Sequence, residues 1–260
     1  MVLIHGTPSR SYLWRGVTPA LAERFSVYAF DLLGYGDSRP SGEDVSIATQ
    51  ARALTELLGR WNLDASAVAG HDIGGAIALR AHLLEGVRFD GMVLLDAVVL
   101  RPWITEASRH VQAHMDAYRT MPTHIYEQVV AAHLCTAVHR PIDGDAFEAY
   151  MDQWRGESGW EAYLQKVAQF DERLTAEFES LLSSVQMPVG ILWGEQDAWL
   201  APAFVRRLRE LLPTSAEPAL IPEAGHFVME DAPEEVAREL LGFFSAGERR
   251  PQQAKGTRAC

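Results

Sequence analysis

Short apolar runs alternate with amphipathic stretches over the first hundred residues. The runs have the length and composition of β-strands and lie at residues 1–4, 26–32, 66–70 and 91–99. Between them, residues 45–61 carry apolar side chains at helical spacing, and a second helix is predicted over 73–85. This alternation predicts an α/β fold in which helices flank a mainly parallel sheet.

The pattern changes after residue 100. Residues 101–183 predict helices throughout and contain no convincing strand. Alternation then resumes with strands at 187–194 and 217–222, a helix near 202–212 and a last helix that begins near Pro233. The predicted organisation is a core of residues 1–100 and 184–246, a helical insert of residues 101–183 and a disordered tail of residues 247–260. Ligands bind at the carboxyl ends of strands in open α/β sheets, so an insert leaving such an end is expected to cover a site.

Composition narrows the class of protein. The 260 residues are 48% hydrophobic and carry a formal net charge of -12, which argues against nucleic acid and anionic membrane surfaces as partners. No apolar run reaches membrane-spanning length, and no leader pattern opens the chain. Cys135 and Cys260 lie far apart, so no disulfide framework is expected. These features predict a soluble cytoplasmic protein.

A glycine-rich corner follows the third predicted strand. Gly70-His71-Asp72-Ile73-Gly74 has the spacing of the G-x-S-x-G nucleophile elbow, with aspartate in place of serine. Small residues are needed where a side chain projects from so tight a turn. The free N–H groups of the following helix should favour ionised Asp72. The structural alternative is a turn-forming aspartate, since aspartate tolerates unusual dihedral angles.

Five segments together resemble one superfamily. They are IHGTPSRSYLW, FDLLGYGDS, GHDIGG, LWGEQDAW and EAGHFVMEDAPEEV, and they resemble the α/β-hydrolase superfamily in its Asp-nucleophile branch, the epoxide hydrolases and haloalkane dehalogenases. The insert matches only in position and helical character. The resemblance implies a helical lid after the family's sixth strand. It also implies that the family's first two strands are missing here, and we expect the lost edge pairing to lower stability.

An aspartate nucleophile suits attack on a saturated carbon, because the product is an ordinary alkyl ester. Hydrolysis of that ester needs a base, a group that orients the base and donors for the oxyanion. The resemblance implies that His226 is the base. It implies Asp197 as the orienting acid, with Asp96 as the alternative, since some dehalogenases place this acid after the sixth strand.

The oxyanion donors implied by the resemblance are two main-chain N–H groups, those of Thr7 and Ile73. These positions also bear on the leaving group. Haloalkane dehalogenases often carry a tryptophan directly after the nucleophile and an asparagine after His-Gly, and here Ile73 and Thr7 stand there. Relatives that act on haloacids carry arginines near Ile73 and Ala76, so the sequence gives no support for an anionic substrate.

Epoxide opening needs an acid that protonates the emerging alkoxide. Epoxide hydrolases use an H-G-x-P loop, which residues 5–8 match, and one or two lid tyrosines. Tyr118 and Tyr163 lie near the expected places. Both also belong to helical apolar stripes and could be packing residues, and Tyr126 and Tyr150 compete for the role.

The resulting hypothesis is a hydrolase that opens a small apolar epoxide to a diol through an ester on Asp72, with water as co-substrate. The alternatives are hydrolysis of a carbon–halogen bond and a non-catalytic protein that binds a small ligand under the lid. No cofactor or metal is expected, and the sequence leaves the oligomeric state open.

Overall fold

Six parallel strands form one sheet in the computed structural model of the chain, which describes residues 1–39, 44–213 and 215–248. The strands are β1 (Val2–Ile4), β2 (Tyr28–Phe30), β3 (Ala67–His71), β4 (Gly91–Leu95), β5 (Val189–Gly194) and β6 (Ala219–Ile221). Their order across the sheet is β2-β1-β3-β4-β5-β6. β1 therefore lies between two partners, and β2 is an edge strand. The predicted α/β-hydrolase fold with a parallel sheet is confirmed.

Twelve α-helices accompany the sheet within the described residues. They are α1 (Thr18–Ala22), α2 (Ile47–Arg60), α3 (Ile73–Leu84), α4 (Glu106–Ala113), α5 (Met115–Arg119), α6 (Thr123–Cys135), α7 (Gly144–Met151), α8 (Gly156–Ala168), α9 (Arg173–Glu179), α10 (Ala203–Leu211), α11 (Val228–Asp231) and α12 (Pro233–Glu248). Short 3-10 turns occupy Ser11–Trp14, Asp152–Trp154 and Leu182–Ser184. Helices α4 to α9 lie between β4 and β5, within the insert predicted over 101–183.

Strands β4 and β5 lie in the core of the protein. β4 and β5 are buried along their whole length, as strands covered on both faces should be. The apolar run predicted as a strand over 91–99 pairs only as far as Leu95. Asp96 follows with a φ of 42°, so the chain turns out of the sheet there and begins its path to the lid.

The lid is fixed to the core by buried polar contacts near the Asp152–Trp154 turn. The indole Nε1 of Trp154 donates to the main-chain oxygen of Pro8 at 2.9 Å. The Gln153 amide donates to the same oxygen at 3.0 Å and accepts from the N–H of Gly36 at 2.9 Å. These bonds join the lid to the loops that follow β1 and β2, which positions it over the carboxyl edge of the sheet.

Three expectations concern the chain as a whole. No helix within the described ranges has the length and hydrophobicity needed to cross a membrane. Cys135 is an exposed free thiol, and Cys260 lies outside the described residues. Of the tail predicted over 247–260, residues 247 and 248 belong to α12, and the remainder falls outside the part of the chain that the structure describes.

Candidate active site

Asp72 stands at the corner between β3 and α3. Its φ of 52° and ψ of -124° are costly for a residue with a side chain. A Cβ on Gly74 would lie 2.5 Å from the main-chain oxygen of Ile4, and one on Gly70 would lie 2.6 Å from that of Gly74. Glycine is therefore required at position 74 for the corner to pack against β1 and at position 70 for the corner to close on itself, which explains the spacing seen in the sequence.

The two carboxylate oxygens of Asp72 have different surroundings. Oδ2 accepts a hydrogen bond from the main-chain N–H of Thr7 at 2.7 Å, and the N–H of Ile73 also donates to the carboxylate. Oδ1 lies 3.7 Å from Nε2 of His226. A Cβ on Gly6 would lie 2.3 Å from the Asp72 Cβ, so only glycine lets the loop bring the Thr7 N–H this close. The structure thus brings together the predicted donors and the predicted nucleophile.

His226 lies on the loop after β6 and is fully buried. Its Nδ1 donates to Oδ2 of Asp197 at 2.9 Å, which leaves Nε2 directed toward Asp72. Asp197 is itself held by the main-chain N–H groups of Trp199 and Leu200, which donate to Oδ1 at 2.8 and 2.9 Å. Because one carboxylate oxygen is hydrogen bonded to the main chain and the other to the imidazole, Asp197 fixes both the orientation and the tautomer of the His226 ring.

Asp96 lies beside this pair but makes a different contact. Its Oδ1 accepts from the N–H of Gly194 at 2.8 Å, and its buried Oδ2 has no partner within the described residues. Burial, with the negative charge of Asp197, raises the pKa of Asp96 well above the usual value and so favours its protonated form.

Three side chains meet closely enough to suggest a metal site. Asp96, Asp197 and His226 bring one ligand atom each to within 4.8 Å of one another. His226 and Asp197 are already hydrogen bonded to each other through Nδ1 and Oδ2, and the raised pKa of Asp96 favours its protonated form, which is a poor ligand. The expectation that no metal is needed stays a prediction.

The charge state of the reacting groups follows from their burial. Burial raises the pKa of Asp72 to about 6, although the charge of His226 and the N–H groups of Thr7 and Ile73 oppose this. The sequence predicts that helix N–H groups favour ionised Asp72; they do, but the loss of water outweighs them. Burial also acts to lower the pKa of His226, but the Asp197 carboxylate outweighs it and raises that pKa above 6.5.

Two further histidines support the site. His71, directly before Asp72, donates from Nε2 to the main-chain oxygen of His226 at 2.9 Å, which joins the corner that carries Asp72 to the loop that carries His226. His5 bonds the Gly6 oxygen through Nδ1 and accepts from the N–H of Leu32 through Nε2, both at 2.9 Å. Burial lowers the pKa of His5 to about 4, so this ring is a neutral structural link between the loops after β1 and β2.

A narrow cavity separates Asp72 from the lid. Its volume is about 30 Å³, while one water needs roughly 10–15 Å³ by the same measure. Its walls are chiefly apolar and aromatic, with contributions from Val98, Trp103, Ile104, Val167, Phe170, Trp199 and Leu200. A cavity of this size and lining suits a small, largely apolar molecule.

The four candidate lid tyrosines have different surroundings in the structure. Tyr163 lines the cavity together with Asp72, whereas Tyr118 is not among the lining residues. Tyr118 instead packs against Trp160, whose indole donates to the Tyr118 main-chain oxygen at 2.9 Å. The hydroxyl of Tyr126 is bonded to the oxygen of Gly156, and that of Tyr150 to Glu230. Burial raises the pKa of Tyr163, so its phenol keeps its proton.

Sequence reasoning missed two titratable residues in the cavity wall. His133 of α6 stacks on Trp199 with ring centroids 4.3 Å apart, and Lys166 of α8 reaches the cavity from the lid. Burial lowers the pKa of His133 to about 4. The only feature of the sequence that points to Lys166 is the scarcity of lysine, because the chain has two lysines among its 23 lysine and arginine residues.

Comparison with known proteins places this geometry in context. An alpha/beta hydrolase fold protein from Burkholderia ambifaria superposes with a TM-score of 0.88 at 34% identity, covering 93% of this chain and 89% of that one. Haloalkane dehalogenase 2 of Mycobacterium tuberculosis is 28% identical over 264 aligned residues, which cover 94% of this chain and 87% of that protein.

A third relative matches a shorter segment at higher identity. The soluble epoxide hydrolase of Corynebacterium sp. (strain C12) is 45% identical over 78 residues, which cover 30% of this chain and 27% of that protein. The family model described as "Alpha/beta hydrolase family" matches residues 1–239. The predicted resemblance is confirmed, and the chain belongs to the alpha/beta hydrolase family.

Proposed function

We propose that the protein hydrolyses a small, largely apolar epoxide to a diol through a covalent alkyl ester on Asp72. One observation carries the proposal: Oδ2 of Asp72 accepts the main-chain N–H of Thr7 at 2.7 Å, while Oδ1 lies 3.7 Å from Nε2 of His226 and Asp72 lines the cavity. An oxygen held in this way can become the ester carbonyl, and the other oxygen is left to attack.

In the first step, Oδ1 of ionised Asp72 forms a bond to an epoxide carbon while the bond from that carbon to the ring oxygen breaks. The electron pair passes to the ring oxygen, which takes a proton from the phenol of Tyr163. Tyr163 is the candidate acid because it lines the cavity and keeps its proton at neutral pH.

In the second step, Nε2 of His226 takes a proton from water, and the water oxygen adds to Cγ of the Asp72 ester. Negative charge develops on Oδ2, to which the N–H of Thr7 donates, and the N–H of Ile73 is a second donor to the same carboxyl group. The tetrahedral adduct collapses and expels the alkoxide that contains Oδ1, which takes the proton from His226. The second proton of the added water returns to Tyr163, so the diol leaves and the enzyme is restored. Asp197 keeps the imidazole oriented throughout.

The two indoles of the cavity wall favour an epoxide over a haloalkane. Halide release needs N–H donors directed at the departing ion, yet the indole N–H groups of Trp103 and Trp199 donate to Thr175 and Thr136 of the protein. Carbon–halogen hydrolysis remains the second candidate, because the dehalogenase relative aligns with 94% of the chain.

A release assay distinguishes the candidates. Neutral terminal epoxides and haloalkanes of matched size are incubated with the enzyme, and diol and halide are measured in parallel, with Asp72→Asn as the control. We expect diol from the epoxides and no product from the variant. In His226→Gln, a substrate-sized mass should accumulate on the peptide that contains Asp72. Halide without diol would select the second candidate, and a bound ligand with neither product nor adduct would indicate a non-catalytic binding protein.

A further inference from the structure

Lys166 is a buried lysine in the wall of the cavity beside Asp72. It lies in α8, is 3% exposed and lines the same cavity as Asp72. It is the one lysine in the described residues, since Lys255 falls outside them. The steps derived above for Asp72, His226 and Tyr163 make no use of it.

The partners of Lys166 are all uncharged. Nζ donates to the main-chain oxygen of Ala162 at 3.0 Å and lies over the rings of Tyr35 and Trp154, 4.7 and 5.0 Å from their centroids. No carboxylate of the described residues forms an ion pair with it. A buried charge without a counter-charge is costly. Burial, together with the charge of Arg39, accordingly lowers the pKa of Lys166 to about 7.

Arg39 places a second positive charge close enough to Lys166 to lower the pKa of that lysine. Its guanidinium donates to the main-chain oxygens of Gly36 and Gln153. Other lid-facing arginines differ: Arg80, for example, is paired with Glu177 at 2.6 Å. In a chain of net charge -12, Lys166 and Arg39 are therefore two basic side chains whose hydrogen bonds go to main-chain oxygens and not to carboxylates.

We propose that Lys166 forms an anion subsite and that the substrate carries a carboxylate at the end away from the reacting carbon. The ammonium has donors beyond the one used on Ala162, and a bound carboxylate would supply the counter-charge that the protein does not provide. The small cavity favours a compact anion. The sequence offered no arginine near the nucleophile for such a group, whereas the folded lid brings a cation from the opposite wall.

This inference rests on the proposed function for its substrate class, but the anion subsite can be measured without turnover. Pentanoate and pentanamide have nearly the same size and differ in charge. Calorimetric titration of the wild-type enzyme should show that pentanoate binds at least tenfold more tightly, because a charge-assisted hydrogen bond in a buried site is strong. In Lys166→Met, which keeps the length of the side chain, that preference should disappear. Lys166→Arg, which keeps the charge, should retain part of it.

Turnover supplies the second measurement. Terminal epoxypentanoate and epoxypentanamide are compared in the wild-type enzyme, in Lys166→Met and in Arg119→Met, which removes a charge from the exposed surface of the lid. Lys166→Met should raise KM for the carboxylate about tenfold or more and leave KM for the amide within about twofold, while Arg119→Met should change neither.

The two proposals fail in different ways. Equal binding of pentanoate and pentanamide to the wild-type enzyme would overturn the anion subsite and leave the ester mechanism intact. An equal fall in kcat for both epoxides in Lys166→Met would also overturn it, because the lysine would then act on the leaving group. Selective binding of pentanoate with no turnover of any epoxide would support the anion subsite and count against the proposed reaction.

Discussion

His226 is hydrogen bonded to Asp197 and not to Asp96, although all three side chains lie within 4.8 Å of one another. The two aspartates differ in the hydrogen bonds that they make to the main chain. Oδ1 of Asp197 accepts hydrogen bonds from the main-chain N–H groups of Trp199 and Leu200, so Oδ2 is available to the imidazole. Asp96 accepts the N–H of Gly194, and burial with the negative charge of Asp197 raises its pKa well above the usual value.

We predict that Asp197→Asn and Asp96→Asn have unequal effects on ester hydrolysis. Asn at position 197 can hold the His226 ring in the wrong tautomer, so the rate of the second step should fall by about 10³–10⁴. Asn at position 96 keeps an oxygen for the Gly194 N–H and leaves the His226–Asp197 hydrogen bond in place, so the rate should stay within about tenfold. Stopped-flow measurement of ester decay tests this, and a larger loss in Asp96→Asn would assign the orienting role to Asp96.

Tyr163→Phe and Tyr118→Phe form a matched pair for the leaving-group acid. Removal of the Tyr163 hydroxyl, which lies in the cavity wall, should lower the rate of ester formation from an epoxide by about 10²-fold or more. Tyr118 does not line the cavity, so its loss should change that rate less than about threefold. Quenched-flow measurement of the Asp72 ester gives the rate, and equal losses in both variants would mean that the tyrosines act together.

Asp72→Asn should make the protein more stable at neutral pH. The pKa of Asp72 is about 6 in the folded protein against an ordinary value of 3.8. Between these values the unfolded chain has released the proton and the folded chain has kept it, so stability falls as pH rises through this window. Asparagine tolerates positive φ, can accept the Thr7 N–H and never ionises.

The expected gain in the free energy of unfolding is about 2–3 kcal/mol above pH 6 and close to zero near pH 4. Urea unfolding of both proteins at pH 4 and pH 8 measures it. A gain that is the same at both pH values would show that ionisation of Asp72 is not its source.

Much of the fold could be predicted because its signals are local. Five of the six strands coincide with short apolar runs to within about two residues at each end, and the 91–99 run extends past its strand by four. The glycines at 70 and 74 are required by contacts within the elbow and with β1. Local spacing therefore encodes the placement of Asp72.

The parts of the site that depend on the lid could not be predicted. Tyr118 and Tyr163 belong to similar apolar stripes, and the spacing of a stripe does not show whether that face of the helix packs against the core or lines a cavity. The sequence likewise does not show that Lys166 lines the cavity. The choice between Asp96 and Asp197 rests on hydrogen bonds made after the chain folds. The pKa of Asp72 is raised because residues distant in sequence exclude water from the carboxyl group, whereas the nearby N–H groups act to lower that pKa.

The central claim is that an oxygen of Asp72 enters the product, and a single turnover in water enriched with the heavy oxygen isotope tests it most directly. Enzyme in excess over epoxide is used, and the diol and the peptide containing Asp72 are analysed by mass spectrometry. The account predicts unlabelled diol and one heavy oxygen on Asp72, because water adds to Cγ of the ester. Label in the diol of that first turnover, with Asp72 unlabelled, would mean that water attacks the epoxide directly and would contradict the account.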